Sequence, residues 1–214
     1  MTLAIISGGL DSAVLAYTLE KLVLVSFDYG QRHVKEIEHA EVIARSLGLP
    51  LSVIDISTIG RMLSGSALTD DVDVPDGRYD DKSMAVTIVP NRNAILLSIA
   101  YGVAVARGLD AVAIGVHAGD HAIYPDCRLE FIQQFEAMAQ LATASHIAVV
   151  APFVNKTKAE IVKLGNDLGV PFELTWSCYK GREIHCGVCG TCYERREAFE
   201  LAGVVDPTIY ASTG

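Results

Sequence analysis

Residues 3–12 read Leu3-Ala4-Ile5-Ile6-Ser7-Gly8-Gly9-Leu10-Asp11-Ser12, and Ala13-Val14-Leu15-Ala16-Tyr17 follows. The order is an apolar strand, a glycine turn and a helix. Adjacent glycines let the backbone turn tightly with its amides facing inward. The helix behind them adds unpaired N–H groups and the positive end of its dipole. Ser7 and Ser12 bring hydroxyl donors. Such a turn is a cradle for an anion, and a polyphosphate is its natural guest. No Gly-Lys-Ser/Thr follows the glycines, which excludes the Walker loop, and no third glycine stands at the dinucleotide spacing.

Outward from this loop, apolar runs alternate with helical patterns. Strands are expected at 3–6, 22–27, 51–54, 111–115 and 147–151. Helices are expected at 12–20, 34–47, 93–107, 128–141, 156–168 and 193–202, with Gly48, Gly108 and Gly169 as helix stops. This alternation predicts an α/β fold: a Rossmann-like, five-stranded parallel sheet with helices on both faces. Ligands of such sheets bind beyond the C-terminal strand ends, where the glycine loop must lie. Only Lys21 separates the first expected helix from the second strand, and the 141–147 link is also tight. Connections of this kind usually take about two to six residues. The spacing implies either unusually compact links or residues missing from the chain, and the second reading is favoured at Lys21. Residues 61–87 lack a period and are rich in Asp, Gly and Ser; a flap over the site and a solvated loop fit equally well.

The chain of 214 residues suits a single domain spanning 1–214 with a large core, half of it hydrophobic. With 26 acidic and 17 basic residues the net charge is −9, which disfavours a nucleic-acid surface. No signal-peptide pattern and no uninterrupted apolar run of membrane-spanning length is visible. A cytoplasmic protein with no membrane partner is expected.

Cys178, Cys186, Cys189 and Cys192 supply two CxxC steps sharing Cys189, with Gly187 and Gly190 as bends. Four thiolates suit one structural zinc ion and leave no open position for catalysis. The expected zinc knuckle occupies 176–196. Cys186, Cys189 and Cys192 also match the opening of a ferredoxin run, but Arg196 stands where its fourth cysteine would fall, so zinc is favoured. His185 is expected to remain free beside the knuckle. Lys180, Arg182, Arg195 and Arg196 are placed to offset its negative charge. Cys127 stands apart and reads as a buried small hydrophobe, with a reactive thiol as the alternative.

The Ser7–Ser12 loop resembles the SGGxDS pyrophosphate loop of the ATP pyrophosphatases, whose fold is adenine nucleotide alpha hydrolase-like. Further segments narrow the resemblance: Asp28-Tyr29-Gly30-Gln31-Arg32-His33, Val89-Pro90-Asn91-Arg92-Asn93, Gly115-Val116-His117 with Asp120, Tyr124-Pro125-Asp126-Cys127-Arg128 with Phe131, Thr157-Lys158-Ala159-Glu160-Ile161, and Trp176-Ser177-Cys178. Together with the four-cysteine knuckle they resemble the 7-cyano-7-deazaguanine synthases of queuosine biosynthesis, nearly end to end.

The resemblance implies an ATP-dependent ligase that turns 7-carboxy-7-deazaguanine and ammonia into the nitrile, and a homodimer. Adenylation gives the acid a leaving group, ammonia yields an amide, and a second activation permits dehydration. No glutaminase segment is present, so free ammonia is implied. Ser7, Gly8, Gly9, Leu10, Asp11, Ser12 and Asp28 are expected to bind ATP. Asp11 must either cap its helix or work with Mg2+, which would neutralise the pyrophosphate. Arg92 could pair with a phosphate or the substrate acid, or form a surface salt bridge. Lys158 could reach phosphate or be solvated. Gln31, like Asp28, could read base edges or shape a turn. Asp126 and Arg128 could hold the deazaguanine or pair with each other. His33 and His117 read as structural. Two rivals remain: an ATP pyrophosphatase acting on tRNA or another acid, and a knuckle that binds single-stranded RNA through Tyr179, Lys180, Arg182 and Tyr193.

Overall fold

The computed structural model describes residues 1–31, 34–63, 65–70, 72–79, 84–180 and 183–212. The strands are β1 (Thr2–Ile5), β2 (Leu22–Asp28), β3 (Leu51–Asp55), β4 (Ala111–Ala113) and β5 (Ala148–Val150). The helices are α1 (Leu10–Thr18), α2 (Val34–Ser46), α3 (Ser57–Gly60), α4 (Arg92–Ala106), α5 (Leu129–Thr143), α6 (Lys158–Asp167) and α7 (Gly190–Ala202). All strands run parallel in the order β3-β2-β1-β4-β5, with Thr2 opposite both Leu22 and Ala111. The order reverses beside β1, so the glycine loop leaves the sheet at its topological switch point.

Side chains of β1 alternate between two cores, as the period of a strand demands. Leu3 and Ile5 join Val25, Phe27, Leu97, Tyr101 and Phe135 beneath α4 and α5. Ala4 and Ile6 join Val14, Leu15, Ile43, Ile161 and Phe199 beneath α1, α2, α6 and α7. Both faces are covered, which explains why the strands are apolar throughout instead of alternating. The stretch 85–106 has the length and hydropathy of a membrane span. Within it, however, Leu97, Ala100, Tyr101 and Ala104 of α4 pack into the first core, as in a layer helix.

The compact alternative is what the structure contains at Lys21. Helix α1 stops at Thr18, Lys21 takes a left-handed φ of 53°, and its carbonyl accepts from Thr2 N–H at 3.1 Å. At the second tight link, Ala144 is left-handed and Ser145 N–H donates to Gln140 O. Gly48, Gly108 and Gly169 have positive φ, as helix stops require.

The described part of the acidic loop is docked. Ala67 and Leu68 are buried, Ala67 N–H donates to Val86 O, and Asp76 bridges to Cys189. Of the sequence expectations, those on His33 and Arg182 lie outside the described residues.

Candidate active site

The glycine loop is fixed by close approach. Gly8 has φ +81°, and a Cβ there would stand 2.2 Å from the Glu36 carbonyl oxygen. Only glycine lets α2 press against the loop. From the other side Trp176 N–H donates to Gly8 O at 2.9 Å. The serines brace the loop from within: Ser12 Oγ donates to Gly9 O and accepts from Ser7 N–H. Leu10 sends its side chain into the core, so it offers the site only backbone. Gly9 is the N-cap of α1, and no side chain caps this helix. Asp11 follows in the first turn of the helix, where its negative charge suits the helix dipole.

Asp11 meets Lys158, whose Nζ lies 3.1 Å from Asp11 Oδ2 and 2.8 Å from Glu194 Oε2. Lys158 is the first residue of α6, aimed there by a capping box between Thr157 and Glu160. Burial works against its charge, but Asp11 and Glu194 outweigh it and hold the ammonium well above the ordinary lysine range. Lys158 and then His117 keep the Asp11 carboxyl low despite its burial, whereas burial raises that of Glu194. His117 Nδ1 accepts from Gly119 N–H, so a neutral ring carries its proton on Nε2. That nitrogen faces Asp120 at 3.5 Å and Asp11 at 3.8 Å. His117 is thus part of the site's charge network. His117, Asp120 and Glu194 lie close enough to surround an ion, and Asp11 Oδ1 is buried without a hydrogen-bond partner. Asp120 and Glu194, with Asp11 beside them, are the hard oxygen donors of this group.

The loop opens onto a cavity of about 210 Å³ whose other wall carries Tyr29, Gln31, Glu36, Arg92, Asn93, Cys127 and Tyr179. Arg92, at the start of α4, lies 5.9 Å over the Tyr124 ring and hydrogen-bonds the Tyr29 hydroxyl. Burial pushes the Glu36 carboxyl up to about 7, against the pull of Arg92. Sequence reasoning missed Glu36, Glu194, Tyr79 and the cavity role of Tyr179. Tyr79 OH donates to Asp120 Oδ1 at 2.8 Å.

Several expected site residues serve the scaffold. Asp28 lies off the cavity wall, and its carboxylate accepts from Gly30 N–H to close a turn. Gln31 reaches the wall, but its amide is spent on Tyr29 N–H and Phe27 O. Asp126 accepts from Asn93 N–H and so caps α4, while Arg128 donates to His121 O; among the described residues the two form no ion pair with each other. Cys127 is a buried thiol pushed up by burial and by Asp120 and Asp126, which leaves it unreactive.

In the knuckle the four thiols are buried and lie within 4.8 Å of one another. The spacings of 3.9 Å for Cys186–Cys192 and 3.5 Å for Cys189–Cys192 bracket the edge, about 3.8 Å, of a tetrahedron with 2.3 Å metal–sulfur bonds. The group could hold a metal ion. His185 stays outside the four-thiol group, as expected: it is buried, accepts from Ser177 N–H through Nε2, and its ring lies tilted 4.3 Å from that of Trp176. Burial lowers its pKa to about 4, so it stays neutral. Arg195 does not offset the thiolates either. It is fully buried, donating to Thr175 Oγ1, Ser177 Oγ and Phe172 O and pairing with Asp206. Of the residues suited to RNA, Tyr179 faces the cavity, Lys180 pairs with Asp76 and Tyr193 lies under Arg196.

Comparison with known proteins agrees with this geometry. Among solved structures, NMN synthetase from Francisella tularensis aligns with a TM-score of 0.51 at 17% identity, covering 98% of this chain and 79% of that one. The NH3-dependent NAD synthetase from Campylobacter jejuni aligns with a TM-score of 0.50 at 16% identity, covering 81% and 66%. These likenesses show the fold. The 7-cyano-7-deazaguanine synthases of Brucella ovis and Brucella suis are 58% identical over 98% of this chain and 93% of theirs. The family described as "Queuosine biosynthesis protein QueC" matches residues 1–203. The chain belongs to this family and is an enzyme, a carbon–nitrogen ligase.

Proposed function

We propose that the enzyme uses ATP to convert 7-carboxy-7-deazaguanine and ammonia into 7-cyano-7-deazaguanine. The observation that carries the reading is one cavity with a phosphate cradle at one end and a heterocycle-sized, aromatic and charged wall at the other. The loop amides of Ser7, Gly8 and Gly9 and the first turn of α1 receive the ATP phosphates. Lys158 exchanges a carboxylate for a phosphate oxygen. Arg92 meets the acid and holds it beside the α-phosphate. Attack of the carboxylate oxygen there releases pyrophosphate and leaves the acyl adenylate; ammonia displaces AMP to give the amide. A second activation of the amide oxygen lets it depart, forming the nitrile.

Mg2+ arriving with ATP would be held by Asp11, Asp120 and Glu194 and would supply charge neutralisation to the pyrophosphate. Cys178, Cys186, Cys189 and Cys192 would hold one zinc ion, whose contribution is structural. Reduced thiolates of this kind suit the cytoplasm. The family resemblance supports a homodimer. Mass spectrometry of protein, MgATP, ammonium and 7-carboxy-7-deazaguanine tests the reading. Nitrile, AMP and pyrophosphate are expected; no turnover of the acid by folded, metal-loaded protein would refute it.

A further inference from the structure

We propose that Glu36 is the specificity-determining residue that reads the donor edge of the deazaguanine ring, an inference that rests on the function proposed above. Among the described residues three carboxylates reach the cavity wall, and two of them, Asp11 and Asp120, belong to the ionic cluster of Lys158 and His117. Glu36 does not. Its backbone is pressed against Gly8, and its charge is felt by Tyr29, Arg92 and Tyr179. A carboxylate and a guanidinium thus stand on one wall among aromatic rings.

That arrangement matches one kind of heterocycle. A guanine-type edge presents a carbonyl oxygen, then N1–H, then an exocyclic amine: one acceptor beside two donors. The two oxygens of Glu36 accept from N1–H and the amine. The guanidinium of Arg92 donates to the carbonyl oxygen and to the acid, which branch from the two carbons flanking one ring-fusion carbon and so project from the same side of the bicycle. Tyr29 and Tyr179 provide surface for the ring, as aromatic side chains do for unstacked bases. An adenine edge alternates donor and acceptor and would set a ring lone pair against one carboxylate oxygen. The pair therefore distinguishes the acid substrate from the nucleotide's own base.

The test compares wild type, Glu36→Gln and Glu36→Asp on 7-carboxy-7-deazaguanine and on its analogue lacking the exocyclic amine. Wild type is expected to prefer the parent by ~10–100-fold in kcat/KM, the value of a hydrogen bond to a charged group. Glu36→Gln, matched in volume, should lose most of that preference through KM for the acid, with KM for ATP unchanged. Glu36→Asp should restore part of it. Undiminished preference in Glu36→Gln overturns the inference, as does a defect confined to KM for ammonium, which would make Glu36 an ammonia site. If wild type turns over neither acid, the proposed function fails first and takes the inference with it.

Discussion

Glu36 makes a stability prediction that does not depend on any substrate. Its carboxyl is raised from 4.5 to about 7 by burial. The folded state therefore binds this proton more tightly than the unfolded chain. The cost of ionising the group is absent below about pH 4.5 and fully present above about pH 7, so stability falls as pH rises through this window. The shift is about 2.5 units, from 4.5 to about 7, and at roughly 1.4 kcal/mol per unit corresponds to an upper value of about 3 kcal/mol. Glu36→Gln removes the titration while keeping the volume. The difference in stability between variant and wild type should move in the variant's favour by up to about 3 kcal/mol between pH 4.5 and pH 8, or roughly 6–12 °C in Tm for a chain of this size. Contributions of other groups, and the cost of burying the amide itself, cancel in this difference of differences. Thermal unfolding of ligand-free protein at several pH values measures it. A difference that stays constant with pH would refute the buried, ionisable carboxylate; a difference of the opposite sign would mean that Glu36 is held charged by a close ion pair.

Gly8→Ala places a Cβ 2.2 Å from the Glu36 carbonyl at φ +81°. It should cost about 2–4 kcal/mol in urea unfolding and weaken nucleotide binding; an unchanged midpoint would contradict the close approach. Lys158→Met leaves Asp11 and Glu194 facing each other without their cation and should cost about 3–5 kcal/mol, with Asp11→Asn in the same chain recovering part of it. Equal instability of the double variant would remove Asp11 from the network. Stripping the metal with a chelator, or Cys178→Ser, should loosen Trp176 and with it the loop at Gly8. Trp176 is the chain's one tryptophan, so its fluorescence should change together with loss of ATP affinity; tight ATP binding by the metal-free protein would sink this coupling.

The layer architecture and the strand, glycine turn and helix at residues 2–18 were legible because both are written in adjacent residues: period and glycine. Strand and helix boundaries expected from the pattern shift by only a few residues in the structure, and the four cysteines sit together as their spacing implies. What the sequence hid is convergence. Glu36 lies in the first turn of a helix and reads as a solvated acid; only the packing of α2 on Gly8 turns it into the cavity. Glu194 reads as one more charge on α7 until Lys158 arrives from α6. Asp28 and Asp126 show the opposite relation. Their chemistry suits a ligand, but a turn and a helix start needed acceptors, and local backbone N–H groups took them.

The two halves of the cavity are held by one line of contacts, and this bears on what the metal knuckle is for. The knuckle fixes the Trp176–Cys178 segment through the Trp176 Nε1 bond to Cys178 O and the Ser177 N–H bond to His185. Trp176 N–H then holds Gly8, and Gly8 is the surface on which the backbone of Glu36 rests. Arg195, buried beside the same segment, bonds Thr175 and Ser177 and ties them to Asp206 in the C-terminal tail. A displacement of the knuckle is thus passed to the glycine loop and from there to the cavity wall that carries Glu36. Four thiolates would offer an ion no open position, so a metal held there would act on turnover through the loop and not in bond making, which makes nucleotide affinity the quantity to follow with and without metal.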